Sequence, residues 1–383
     1  MATYYVDGTI VSASGTGSGT ELDPWGKTDD LIHYAVTQIE AGVGKGARGD
    51  KIIILAGDVN STQSPWIQQT TATNYYNQDR PLGIVGNGRH LTNWDAGGNP
   101  KIGYNWNEGQ TRLDNIVFAD MTLSNLPTAT GTANHVWGGS TYACFWNCDI
   151  LFDPAQNGVM TNTNRSFQLI NCRYTPSQAM QAYSGGLLSS GTYFDCRNSP
   201  SGNLFYSGAY FDCFFDMKDA GRTSASVGFL QVAPRVINCT FDVRGNTGIS
   251  CGRLDGWETS FWYNNYVHGD VGATQQFLVS LYSQGACMGL FGNVGFGISA
   301  IAGGNNIPSA NPISTFCYED NTIISESGVR DADNGDFRPS DALMNAAKFE
   351  LGMRDDYTKQ RRTAGCFTAQ NLIGKPYHPR VRG

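Results

Sequence analysis

A short pattern of apolar and polar positions recurs along the middle of the chain. Each copy places apolar or aromatic residues before an Asn or Asp and a Cys directly after it, as in FWNCDI (145–150), LINCRY (169–174), YFDCRN (193–198), YFDCFF (210–215) and VINCTF (236–241). Apolar residues two positions apart are typical of a β-strand with one face turned inward. The pattern therefore predicts one short, half-buried strand for each copy.

Extending this pattern in both directions gives a column of nine Asn or Asp residues: Asp120, Asn147, Asn171, Asp195, Asp212, Asn238, Asn264, Asn293 and Asp320. Most steps are 24 to 29 residues long, and the step from Asp195 to Asp212 is 17, which predicts a trimmed turn or a strand on another wall. A period in the twenties indicates stacked supersecondary units. We therefore predict an all-β solenoid, a parallel β-helix with about three short strands per coil.

The column also predicts how the coils hold together. Asn and Asp tolerate a left-handed backbone and bond local backbone groups, and stacked amides can bond along a stack. We predict a structural ladder of Asn147, Asn171, Asp195 and Asn238, followed by an inward stack of Cys148, Cys172, Cys196 and Cys239. Because the cysteines occur singly, without CxxC pairs or zinc-ligand spacing, buried free thiols are the better interpretation.

The two ends of the chain differ from the repeat. Residues 28–42, TDDLIHYAVTQIEAG, predict an amphipathic helix with Thr28 as its N-cap and an apolar stripe of Leu31, Ile32, Ala35, Val36 and Ile39. Residues 49–60 predict the first buried strand, with the helix capping the open end of the stack. We divide the chain into an N-terminal segment (1–60), the coils (61–325) and a C-terminal cap with a basic tail (326–383).

Composition limits the classes of function. The chain has 383 residues and a net charge of −7, which argues against nucleic acid as a partner. Residues 354–383 carry seven Lys or Arg and two Asp or Glu, so the first 353 residues carry −12, and the tail can dock on an acidic surface. The sequence shows no secretory signal and no membrane-spanning apolar run, which predicts a protein made in the cytosol without a membrane partner.

Both ends of the sequence resemble a known family. TYYVDGTIVSASGTGSG, PWGKTDDLIHYAV and GDKIIILAGDV near the start, with DADNGDFRPSDALMNAA at 331–347, resemble right-handed parallel β-helix proteins of the pectate-lyase-like superfamily. The resemblance implies a right-handed parallel β-helix over nearly the whole chain. It implies no single activity, because that superfamily includes polysaccharide lyases, glycoside hydrolases, epimerases, esterases and bacteriophage spike or capsid-bound proteins.

Two groups of residues are candidates for catalysis. Arg253, Asp255 and Glu258, with Trp257 as a platform for binding sugar, offer two carboxylates for acid–base work on a glycan. The second group is Asp212, Asp216 and Lys218, with Asp219 and Arg222 nearby, and would suit a lyase. For both groups, the alternative interpretation is a charged turn between coils.

The segment DADNGD at 331–336 is a candidate calcium loop through Asp331, Asp333 and Asp336. It lacks the spacing and the downstream Glu of an EF-hand, so an ordinary turn is the alternative, and no other cofactor is predicted.

Two functions remain open. The first is a bacteriophage virion protein, a capsid decoration or spike made in the host cytoplasm, homotrimeric and in contact with capsid proteins. The alternative is a polysaccharide lyase or glycoside hydrolase that acts on an acidic or bacterial surface glycan and is secreted by a route without a visible signal peptide. A phage spike can also be an enzyme, so the two overlap.

Overall fold

A computed structural model describes residues 2–42, 50–60, 62, 82–95, 116–126, 143–152, 166–176, 186–198, 208–231, 234–254, 260–280, 288–303, 315–319 and 321–346. Strands dominate these residues, and the helices are few, as predicted for an all-β chain. The chain divides into two compact units, Met1–Leu188 and Ser189–Gly383. The border between these units falls within the series of coils, and not near residue 60 or 325.

The first unit contains one helix and eleven strands, and a twelfth strand crosses its border. They are β1 (Thr3–Val6), α1 (Leu31–Gly42), β2 (Asp50–Ile54), β3 (Val59–Asn60), β4 (Leu82–Val85), β5 (Asn93–Asp95), β6 (Ile116–Ala119), β7 (Thr122–Leu126), β8 (Ala143–Trp146), β9 (Asp149–Phe152), β10 (Ser166–Ile170), β11 (Arg173–Thr175) and β12 (Gly186–Ser190). A first sheet has the order β1-β2-β4-β6-β8-β10, and a second sheet has the order β3-β5-β7-β9-β11. Every pair is parallel.

The second unit continues with β13 (Tyr193–Asp195), β14 (Gly208–Phe211), β15 (Phe214–Asp216), β16 (Thr223–Gln231), β17 (Arg235–Ile237), β18 (Thr240–Asp242), β19 (Gly248–Leu254), β20 (Ser260–Tyr263), β21 (Tyr266–His268), β22 (Thr274–Ser280), β23 (Met288–Phe291), β24 (Val294–Phe296), β25 (Ala300–Gly303), β26 (Thr315–Glu319), β27 (Thr322–Ile324), β28 (Val329–Asp331), β29 (Asp336–Pro339) and α2 (Asp341–Ala346). Its first sheet is β14-β17-β20-β23-β26, its second β13-β15-β18-β21-β24-β27 and its third β16-β19-β22-β25. These pairs are parallel, and β28 and β29 form an antiparallel hairpin.

Within each unit, successive strands alternate between the sheets. From β6 onward, a strand of the first sheet is followed by a two-residue turn and then by a strand of the second sheet, whereas longer connections join β2 to β3 and β4 to β5. The corresponding strand of the next coil pairs beside each of them. Parallel strands need long connections, because a tight hairpin would reverse the chain. The arrangement is consistent with the predicted parallel β-solenoid.

The turn between the first and second sheets uses a left-handed residue in coil after coil. The backbone φ is between 52° and 54° at Asp120, Asn147, Asn171, Asp212, Asn238 and Asn264. Side chains bond along this column: the Asn171 amide donates to Asn147 Oδ1 (3.1 Å) and the Asn264 amide to Asn238 Oδ1 (2.6 Å). The left-handed turns and the ladder predicted at Asn147, Asn171 and Asn238 are therefore confirmed.

Two members of the predicted column were wrong. Gly191 (φ 61°) and Gly292 (φ 59°) occupy the turn position in their coils, so Asp195 lies at the end of β13 and Asn293 lies one residue after the turn. Glycine adopts positive φ without a Cβ penalty, so it replaces Asn there. Cys196 is buried but follows Asp195 and is likewise outside the predicted thiol stack. This shift accounts for the short step before Asp212.

The position directly after the turn points into the interior. Cys148, Cys172 and Cys239 are buried there as free thiols, as predicted. The Cys172 thiol donates to the carbonyl of Phe145 (3.3 Å), and burial raises the pKa of Cys172 to about 12. In a later coil, the position directly after the turn holds Asn265. The side-chain amide of Asn265 donates to Asn293 Oδ1 (2.9 Å). A buried amide ladder thus takes the place of the thiols.

The helix α1 begins at Leu31, and Thr28 is therefore not its N-cap. Asp30 has that position: its carbonyl accepts the first helical bond from the Tyr34 amide (2.9 Å), and its carboxylate accepts bonds from Thr62. The predicted apolar stripe is buried, and α1 packs against β1 and β3, the end strands of both sheets. This contact supports the predicted cap. The segment predicted as one strand at 49–60 forms two, β2 and β3.

The ladder predicts a measurable cost for losing a left-handed Asn. Replacing Asn264 with Ala is expected to lower the free energy of unfolding by about 2–3 kcal/mol, because it adds left-handed strain and removes a hydrogen bond. Asn264→Gly is the control, since it relieves the strain and removes only the bond. Urea unfolding followed by circular dichroism measures both. Equal losses in the two variants would show that the φ angle contributes nothing.

Candidate functional site

A row of charged side chains lies on the outer face of the second sheet in the second unit. Asp195, Asp216, Asp242 and His268 end successive strands and pair in register, one per coil. The residue before each of the three aspartates is a phenylalanine of the inner face, so the acidic side chains point the other way. All four are nevertheless buried, which means that something covers them.

Two of the three aspartates bind an arginine two residues further along. Arg197 donates to both carboxylate oxygens of Asp195 (2.8 and 2.9 Å), and Arg244 does the same to Asp242 (2.9 and 2.8 Å). Such bidentate pairs are the strong form of ionic hydrogen bond. Their geometry holds the carboxylates toward their own chain.

The middle aspartate is held differently, because Lys218 stands where the other two have arginine. Asp216 accepts a hydrogen bond from the Tyr193 hydroxyl (2.6 Å) and another from the backbone amide of Lys218 (3.2 Å). Burial raises the pKa of Asp216, and the neighbouring Asp242 raises it further. Burial also raises the pKa of Tyr193, so this hydroxyl keeps its proton and acts as a donor.

The last residue of the row is a neutral histidine. The Tyr266 hydroxyl lies 2.7 Å from His268 Nδ1 and also accepts a hydrogen bond from the Gly328 amide (3.1 Å). The tautomer of the ring sets the direction of this bond: the hydroxyl donates to a bare Nδ1 and accepts from a protonated one. Burial lowers the pKa of His268 to about 4, so the ring is uncharged near neutral pH.

Residues 327–346, here named the C-terminal clasp, cover this row. They comprise the β28–β29 hairpin and α2. The hairpin binds Arg244 through Asp333 (2.5 Å) and the carbonyl of Ala332 (2.9 Å), and the Phe337 ring packs on Phe214 (centroids 4.8 Å apart). Val329, Phe337 and Leu343 join an apolar cluster with Tyr193, Phe214, Tyr266 and Val294. The row thus acts as the docking surface of the clasp.

The second predicted catalytic group is spread over separate positions. Asp212 lies in the left-handed turn before β15 and accepts the Asn238 amide (3.3 Å), whereas Asp216 ends that strand. Lys218 contacts Asp216 through its backbone amide, Asp219 is a left-handed turn residue and Arg222 is buried. Asp212 therefore belongs to the column of turn residues, whereas Asp216 belongs to the row at the ends of the strands.

The first predicted group falls largely outside the described residues. The backbone of Arg253 belongs to β19 and pairs with Gln231 on one side and Val279 on the other. Asp255, Trp257 and Glu258 lie beyond the part of the chain that the structure describes.

The three carboxylates of the predicted calcium loop bind three different partners. Asp331 accepts the Asn334 amide (2.7 Å), Asp333 pairs with Arg244, and Asp336 makes a bidentate pair with Arg338. Within the described ranges, no group of three or more His, Cys, Asp or Glu side chains is placed to hold a metal ion.

Sequence reasoning missed Tyr193, Arg197, Asp242, Arg244 and His268, although a signal for three of them was present. Strands of the second sheet end in Asp-x-Arg or Asp-x-Lys at 195–197, 216–218 and 242–244, and the clasp repeats the motif at 336–338. Aligning Asp195 with the turn column hid this second column of aspartates. Tyr193 and His268 carry no local signal, because their partners are distant in sequence.

Comparison with protein-family models, curated proteins and solved structures finds no match to this chain. None of the described helices combines the length and the apolar character that a membrane span requires.

Proposed function

We propose that the chain is a structural protein of a bacteriophage virion, a right-handed parallel β-helix that serves as a capsid decoration or spike. The handedness follows from the strong preference of crossovers between parallel strands. The role would be stabilisation of the shell or attachment to the host surface. Its location would be the virion, after synthesis in the host cytoplasm.

The observation that carries this proposal is the state of the buried carboxylates. A catalytic pair of carboxylates must face its substrate, with one of them free to give or take a proton. Asp195 and Asp242 instead bind arginines of their own chain, and Asp216 binds Tyr193. Carboxylates that are bound in this way stabilise the fold and leave no free group for acid–base catalysis on a glycan.

The interior supports the same role. Free thiols persist in reducing compartments, and the buried cysteines at the coil interior are all unpaired among the described residues. Burial raises the pKa values of Cys148 and Cys172, which keeps these two side chains as unreactive thiols. Such an interior suits a protein that folds in the host cytoplasm before the virion is assembled.

The outer face of the first sheet in the second unit supports a protein partner. Phe211, Ile237, Tyr263 and Phe291 follow one another in register, one per coil, and are partly exposed. The rings of Tyr263 and Phe291 stack 5.0 Å apart at 4°, so they turn their edges outward. Sugar recognition uses ring faces, whereas apolar edges suit packing against protein. A homotrimer or a capsid protein would fit this surface.

We expect the protein to be an integral component of particles. Immunogold labelling of purified particles of a phage that encodes this chain should place the protein on the particle surface. Light scattering on the purified protein should give the mass of a trimer. The same protein should release no reducing ends and no ultraviolet-absorbing product from a panel of bacterial capsular and cell-wall polysaccharides. Unlabelled particles would overturn the virion role.

The panel also tests the enzymatic alternative. Reducing ends that disappear in Asp255→Ala or Glu258→Ala would identify a glycoside hydrolase at the first predicted group. Unsaturated product would identify a lyase and direct attention to Asp216 and Lys218. An Arg235→Ala variant on the exposed face of β17 is a control, since this residue belongs to neither group.

A further inference from the structure

The C-terminal clasp meets the coils at a buried ionisable network. His268 stands at its centre, with the Phe337 ring of the clasp (6.1 Å) and the Phe296 ring of the next coil (5.1 Å) on two sides. Its partner Tyr266 holds the first residues of the clasp through the Gly328 amide. A change in the charge of His268 therefore acts directly on the contact between clasp and coil.

We propose that His268 makes the clasp an acid-sensitive latch, which opens locally at residues 327–346 as the pH falls and uncovers the row of Tyr193, Asp216 and Asp242. The latch is a property of the second unit alone. It extends beyond the proposed virion role and stands without it.

The geometry makes the protonated imidazole incompatible with the closed clasp. A protonated ring carries a hydrogen on both nitrogens, so it offers no acceptor to the Tyr266 hydroxyl, which lies 2.7 Å from Nδ1. The added proton would also place a buried cation beside Arg244, which already binds Asp242 and the clasp. Opening the clasp relieves both conflicts, because water then solvates the ring and the hydroxyl.

The remaining charged groups around His268 do not remove this conflict. Asp242 and Asp270 favour its protonation, as does Asp333 of the hairpin, and Arg244 opposes it. Burial outweighs them, so the pKa of His268 in the closed clasp stays at about 4. Acidification affects Asp216 in the opposite way to His268. The raised pKa of Asp216 lets this carboxylate take up a proton while the clasp stays closed.

The pH window follows from the two pKa values of His268. In the open clasp the exposed ring regains its ordinary pKa of about 6.5, and in the closed clasp the pKa is about 4. The closed form is fully favoured above about pH 6.5, and this advantage is lost as the pH falls toward about 4. The difference corresponds to an increase of about 300-fold in the ratio of open to closed clasp.

Hydrogen exchange of the full-length protein at pH 7.5, 6.5, 5.5 and 4.5 tests the latch, with rates corrected for intrinsic exchange. We expect amides of residues 328–343, Gly328 among them, to lose protection on acidification, by about 70-fold between pH 7.5 and pH 4.5. Amides of β18 and β21 should keep theirs, because the ladders hold the coils. In His268→Asn, an acceptor remains near Nδ1 without titrating, and the pH dependence of the clasp should disappear.

His33→Asn is the matched control, because His33 is a second partly buried histidine with a lowered pKa and belongs to α1 of the first unit. This variant should respond to acid as the natural protein does. Unchanged protection of the clasp from pH 7.5 to 4.5, or an undiminished response in His268→Asn, would overturn the proposal. Should His268→Asn fold poorly, His268→Phe extends the ring column beside Phe296 and gives the same readout.

Discussion

Replacing Arg244 with alanine is expected to lower the free energy of unfolding by about 3–5 kcal/mol. Arg244 donates to both oxygens of Asp242, to Asp333 and to the carbonyl of Ala332. Asp242 is 2% exposed, so the substitution leaves a buried carboxylate without its cation. The clasp loses its two hydrogen bonds from Arg244 at the same time. Urea unfolding measured by circular dichroism gives the change.

Two variants separate the buried pair from ion pairing in general. Arg338→Ala breaks a similar bidentate pair with Asp336 on the hairpin, but that pair is partly exposed to solvent and its loss should be small. Arg244→Lys keeps the charge without the fork of donors and should fall between the two. An Arg244→Ala loss no larger than that of Arg338→Ala would contradict the proposed importance of burial.

Replacing Phe215 with alanine is expected to cost about 3–5 kcal/mol, because the substitution opens a cavity in the middle of a ring stack. The Phe215 ring lies 4.6 Å from Phe194 and 4.7 Å from Phe241, with nearly parallel planes. The side chain is 0% exposed. Neighbouring coils cannot close the gap, because the pairing of β15 with β13 and β18 fixes the spacing between them. The same urea experiment measures the loss.

The matched control is Phe211→Ala on β14. Phe211 lies in the preceding strand, on the outer face of the first sheet, and is partly exposed, so its loss creates a smaller cavity or none. Phe215→Leu should retain much of the stability, since it keeps most of the apolar volume. If Phe211→Ala and Phe215→Ala lower the free energy of unfolding by the same amount, the ring stack adds no stability beyond that of a partly buried surface ring.

Sequence reasoning worked where the signal is local and repeated. The left-handed preference of Asn and Asp acts within one turn, and the inward alternation acts within one strand, so a column read from the sequence predicts both. Asn147, Asn171 and Asn238 form the predicted ladder, and the buried stripe of α1 follows from helical spacing alone. Each feature needs only neighbours in the chain.

The register of the column was harder, because two positions share one local pattern. Asp195 precedes a cysteine just as Asp212 does, yet Asp195 ends a strand and Gly191 makes the turn. The six-residue pattern YFDC plus two residues is shared by both positions, and only the Asp-x-Arg motif at 195–197 distinguishes them locally. The pairing of Asp195 with Asp216 and of Asp216 with Asp242 decides between them, and that pairing exists only once the coils are stacked.

Short-range amino-acid preferences, repeated from coil to coil, were enough to predict the strand-rich class, the period, the turn residues and the capping helix. The role of the charged residues depends instead on contacts between segments that lie far apart in the chain. Arg244 binds Asp333 from 89 positions away, and Tyr266 binds Gly328 from 62 positions away. No local sequence pattern connects such residues, because the clasp packs onto the second sheet through the complementarity of two surfaces. That return converts a row of carboxylates, otherwise candidates for catalysis, into the docking surface of the clasp.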